Sequence, residues 1–200
     1  VIVALACSVD VPITTDVKTG NTTADKIFVP AANGSSQETD VSLIFAAGDL
    51  FLSPGADGGL ITGEASYNVD DLKPKVSIDN DQVKIQTGNL EIDGIPSFES
   101  KVENTWDLNF GSDPIDLTIK AGAYNGEFEL GNLALTNLHI ADGAANVNLE
   151  FSQPNRTEMR TLHYETGASD VSLAMLSNAN FGTMIFESGA GNYDLDFSGT

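Results

Sequence analysis

Few residues in this chain carry chemistry by type, and fewer still by spacing. There is one cysteine, Cys7, and two histidines, His139 and His163. The histidines lie on strand-like stretches with no second His or Cys close by in sequence, so no metal-ligand spacing is visible. Cys7 has no flanking context for a nucleophile and no partner for an intrachain disulfide. There is no phosphate-binding glycine loop and no Gly-x-Ser-x-Gly elbow. Acidic residues number 29 and basic residues 9, a formal charge of −20. That field disfavours nucleic acid and anionic lipid. With so many acids, paired carboxylates arise by chance. The expectation is no catalytic residue, no bound cofactor and no metal site.

Two other kinds of modification can be read. Val1-Ile2-Val3-Ala4-Leu5-Ala6-Cys7-Ser8 is an apolar run closing on small residues and a cysteine. It is similar to the end of a lipoprotein signal peptide, which makes Cys7 a candidate for lipidation. The competing reading takes Val1, Ile2, Val3, Ala4 and Leu5 as a mature strand that pairs in an assembly. Three Asn-x-Ser/Thr acceptors, at Asn21, Asn33 and Asn155, are candidate glycosylation sites in a host that glycosylates. No stretch reaches the roughly 18 apolar residues of a membrane helix.

The elements that position all this are spelled by a repeat. Gly122-Ala123-Tyr124-Asn125, Gly143-Ala144-Ala145-Asn146, Gly167-Ala168-Ser169-Asp170 and Gly189-Ala190-Gly191-Asn192 share one phrase, their glycines 21, 24 and 22 residues apart. Phe128, Leu149, Leu173 and Leu195 follow at one fixed distance. Leu130, Phe151, Met175 and Phe197 follow at another. A fixed turn followed by an alternating strand, recurring at this period, predicts an all-β fold: a β-solenoid with coils of about 22 residues and two strands per coil. Glycine is expected to take positive φ at the corner. Asn125, Asn146, Asp170 and Asn192 are expected to bond the turn or to form a ladder. The outward positions Glu127, Glu129, Asn148, Glu150, Ser172, Ala174, Asp194 and Asp196 read as a solvated acidic face that Ser172 and Ala174 interrupt.

Ahead of the coils the pattern is less regular. Lys75–Ile78 and Gln82–Ile85 read as a hairpin around Asp79-Asn80-Asp81, and Trp106 as packing the edge of the core. We divide the chain into a leader, 1–39, and a solenoid, 40–200, open or truncated at its C-terminal end.

The order Ala47-Gly48-Asp49-Leu50, Gly63-Glu64-Ala65-Ser66-Tyr67-Asn68, Asn104-Thr105-Trp106-Asp107-Leu108, Ile115-Asp116-Leu117 and then the Gly-Ala-x-Asn coils resembles the toast_rack domain. That family is a β-solenoid related to LiaF-type cell-envelope response proteins and to bacterial adhesin-like domains. The resemblance covers roughly residues 40–200. It implies an extracellular or cell-surface location, no enzyme activity and no cofactor. With the open coils, it leads us to expect a structural protein acting by adhesion or self-assembly. The partner would be a second copy or another envelope protein. An envelope-anchored lipoprotein sensor is the alternative.

Overall fold

The computed structural model describes residues 15–17, 19–31, 38–88, 96–98 and 102–200. Cys7, Val1–Leu5 and Asn33 lie outside them. Twelve strands are described: β1 (Thr15–Val17), β2 (Thr23–Pro30), β3 (Thr39–Pro54), β4 (Gly59–Tyr67), β5 (Lys75–Asp79), β6 (Gln82–Gln86), β7 (Pro96–Phe98), β8 (Asn104–Phe110), β9 (Ile115–Glu129), β10 (Leu135–Glu150), β11 (Met159–Ala174) and β12 (Phe181–Leu195). The helical content among the described residues is two short 3-10 turns, Asp70–Leu72 and Leu176–Ala179.

Ten strands form one sheet, with the path β12-β11-β10-β9-β3-β8-β4-β2 and the β5–β6 hairpin attached through β6. From β3 through β9 to β12 every pairing is parallel. The repeat dictates this register. Phe128 pairs with Leu149, Leu149 with Leu173, and Leu173 with Leu195, so the four form one column as the spacing requires. The first three are at most 2% exposed and Leu195 packs against them from the sheet edge.

Two expectations need correction. The two strands expected in each repeat are one long strand, and only the pairing lapses at the glycine. The glycines at the head of each phrase also do not owe their place to positive φ, which among the phrase residues occurs at Gly191. Crowding requires them. A Cβ on Gly167 would lie 2.4 Å from the carbonyl oxygen of Gly143, and one on Gly143 would lie 3.0 Å from that of Gly122. A side chain there would force neighbouring strands apart.

β3 joins the regular strands to the irregular ones. One side pairs with β9 along its length. The other pairs with β6 over Asp40–Ile44 and with β8 over Asp49–Pro54. Gly48 sits between the two partners at φ +123, with the Asn104 carbonyl where a Cβ would go. The expected hairpin is present as β5–β6, turning at Asn80, whose φ is 55°. β2, within the segment read as a leader, pairs antiparallel with β4 and sends Ile27 and Val29 into the core. Trp106 is fully buried rather than peripheral, edge-on to Phe45 with ring centroids 5.1 Å apart.

Candidate functional site

The parallel register brings together side chains far apart in sequence. His139 and His163 each stand four residues before a glycine of the repeat, and Glu165 and Glu187 each stand two before. His139 therefore pairs with His163, and Glu165 with Glu187. Alternation places all four on one outward face, beside the buried Leu138, Ile140, Leu162 and Tyr164.

The two imidazoles stack at 4.8 Å with planes 8° apart. His139 Nε2 lies 3.0 Å from Glu165 Oε1, and His163 Nε2 lies 3.2 Å from the same oxygen. His163 Nε2 also lies 2.9 Å from Glu187 Oε2. Side-chain exposure runs from 24% at His163 to 65% at Glu187, so water reaches the cluster. Linear spacing hides this cluster, because 24 residues separate the histidines; counting from the glycines reveals it.

A second constellation lies where the long strands pass the glycines. Asp142 accepts hydrogen bonds from Tyr164 at 2.8 Å, Tyr124 at 3.2 Å and Ser169 at 3.3 Å, and a very short one from Thr166. Tyr124, Tyr164, Thr166 and Ser169 are all buried. Neighbouring strands thus share one carboxylate as acceptor. Among the described residues Asp142 is the only carboxylate in its column, whose other members are Phe45, Ala121, Thr166 and Ser188.

Burial, followed by the nearby Asp142 charge, pushes the Tyr124 hydroxyl far above the ordinary phenol range. Burial does the same for Tyr164, helped by Tyr124 and Asp142. Burial and the 2.5 Å bond to Asp25 push Tyr67 up to about 12. Each native phenol thus holds its proton more tightly than the unfolded one. Stability from this source is complete below the unfolded value near ~10 and is lost as pH rises toward 12. Three of the four tyrosines should therefore resist spectrophotometric titration until the chain unfolds. Normal phenolate absorbance from the folded protein at pH ~10.5 would refute this.

The acidic face is in register as read: Glu127, Asn148, Ser172 and Asp194 form one row. Asn148 Nδ2 donates to Glu127 at 2.9 Å, and Glu129 accepts from the backbone N–H of Gly131 at 2.6 Å. These carboxylates are spoken for by neighbours. The Asn/Asp column forms a ladder in two places, Asn125 to Asp49 and Asn192 to Asp170, both at 2.8 Å. A third acidic group, Glu38, Asp40 and Asp116, is closed by Arg160, which bonds Glu38 and lies 3.6 Å from Asp116.

The glycosylation candidates differ in setting. Asn21 is exposed ahead of β2. Asn155 is 5% exposed, its Oδ1 accepting from Leu135 N–H and its Nδ2 donating to the Leu135 and Thr157 carbonyls. That amide is committed to the fold, and a glycan on it is incompatible with this geometry.

Comparison with known proteins follows the same lines. The model of the N-terminal domain of toast_rack, DUF2154, matches residues 13–161. A putative cell adhesion protein from Clostridium sporogenes has a similar crystal structure, with a TM-score of 0.73 at 18% identity, covering 88% of this chain and 99% of its own. A putative adhesin from Parabacteroides distasonis aligns at a TM-score of 0.37 and 13% identity, over 90% of this chain and 83% of its own. The first of these likenesses shows the fold; the second is too distant to carry an argument. Among curated proteins none matches. Among the described residues no helix is long and apolar enough to cross a membrane.

Proposed function

The chain belongs to the family of the toast_rack N-terminal domain, and on that premise we propose a non-catalytic β-solenoid of the cell surface that acts by adhesion or self-assembly. The observation that carries this reading is the edge at β12. Among the described residues it is the last strand of a stack in which each member pairs in parallel with the next, and it is paired there to β11 alone. Phe181, Met184, Phe186, Tyr193 and Leu195 there are only partly buried, while Ile185 is 41% and Phe197 55% exposed. A regular parallel edge with an incompletely covered core is a template for one more strand, whether of this chain's own continuation or of another copy. We assign that strand to a second copy of this chain, with Val1–Leu5 as the donor.

Sedimentation velocity across a concentration series tests this directly. The full chain should form defined oligomers or filaments, visible by electron microscopy. Ile185→Lys, which places a charge at the edge, should weaken association, and deletion of residues 1–10 should abolish it with the circular dichroism spectrum retained. A monomer at every concentration overturns self-assembly. Unchanged assembly after the deletion overturns donation by Val1–Leu5. A native mass showing a diacylated Cys7 would instead favour the lipoprotein sensor.

A further inference from the structure

The geometry points to a binding site for a zinc-class transition ion at His139, His163 and Glu165, with Glu187 beside them, independently of the surface reading above. The donors are Nε2 of each imidazole and Oε1 of Glu165, and Glu187 Oε2, 2.9 Å from His163 Nε2, stands next to them. Three donor–donor separations in the cluster are 2.9, 3.0 and 3.2 Å. An ion at zinc–ligand distances of about 2.0–2.1 Å in tetrahedral coordination needs edges of about 3.3 Å. The donor atoms of His139, His163 and Glu165 all lie within 4.8 Å of one another.

The chemistry of the set chooses the ion. Two imidazoles with carboxylates suit zinc and its neighbours, whereas calcium and magnesium take all-oxygen shells. Neutral imidazoles and the Glu165 and Glu187 carboxylates together compensate a divalent charge. Rigid neighbouring strands present the ligands, and the face is open to solvent, so the ion has an entry path. Because His139 comes from β10, His163 and Glu165 from β11, and Glu187 beside them from β12, a bound ion would fasten neighbouring strands of the stack to one another.

The test uses the full, tag-free chain, with Cys7→Ser run in parallel to remove the one thiol. Zinc chloride should bind by calorimetry at one equivalent per chain. At about 100 µM it should raise the melting temperature by several degrees, reversed by chelator. Cobalt(II) should give the visible bands of a tetrahedral site. His163→Gln and the double variant His139→Gln/His163→Gln should keep the native circular dichroism and lose both the melting shift and the cobalt spectrum. Calcium at the same concentration should do nothing comparable. The proposal fails if zinc leaves the melting temperature unchanged, if the double variant responds like the parent, or if calcium matches zinc. The first of these outcomes would leave the cluster a His–Glu ion-pair ladder only.

Discussion

Leu173→Asp is expected to leave no cooperative unfolding transition at 25 °C. Leu173 is 1% exposed and sits between Leu149 and Leu195 in the apolar column. Truncation of such a leucine to alanine already costs about 2–5 kcal/mol through lost burial and the cavity left behind. A carboxylate adds the penalty of an unpaired polar or charged group with apolar neighbours in its column on either side. The sum rivals the roughly 5–15 kcal/mol that holds an ordinary domain together. Circular dichroism melts of the two variants separate the effects: Leu173→Ala should melt cooperatively at reduced temperature, and Leu173→Asp should not. A Leu173→Asp melting temperature within a few degrees of the parent would mean that the column does not hold the stack.

The second large effect is expected at Asp142. In Asp142→Ala the hydroxyls of Tyr124 and Tyr164 lose their carboxylate acceptor while remaining buried, and Thr166 keeps only Ser169. Each buried hydroxyl left unpaired costs about 1–3 kcal/mol, so the loss should be roughly 3 kcal/mol or more. Asp142→Asn retains one carbonyl acceptor and should recover part of it. Urea denaturation gives the ordering directly. Equal stability of the alanine variant and the parent would show that water replaces the carboxylate at no cost.

Much of the fold could be read from the repeat, because period and alternation are local properties that the register then amplifies. The column through Leu173 follows from counting. The β5–β6 hairpin follows from Asp79-Asn80-Asp81, which needs a residue tolerant of positive φ at Asn80. Less legible was whatever depends on a neighbour distant in sequence. The β3–β9 pairing joins Asp49 to Asn125 across 76 residues, and nothing local announces it. Trp106 reads as an edge residue until β8 is known to lie between β3 and β4. The histidine cluster and the Asp142 constellation exist only between strands. Both were within reach of the sequence had each position been numbered from its glycine. Asn155 shows the converse failure: a three-residue acceptor pattern says nothing of a side-chain amide buried against Leu135.

The crowding at the repeat glycines has a consequence for how such a chain lengthens in evolution. Each glycine clears the carbonyl of the strand before it: Gly189 that of Gly167, Gly167 that of Gly143, Gly143 that of Gly122, and Gly122 that of Ala46. Ala46 occupies the same column in β3, where neither the pairing to β6 nor that to β8 reaches it, and there a methyl group is accommodated. A duplicated unit therefore carries with it the clearance it needs on its predecessor and offers its own carbonyl to its successor. Such a unit can be inherited in whole copies, with the corner between strands free to differ in length from one copy to the next. In this column Ala46 stands where the later strands carry glycine, and each of those glycines makes room for the carbonyl beside it.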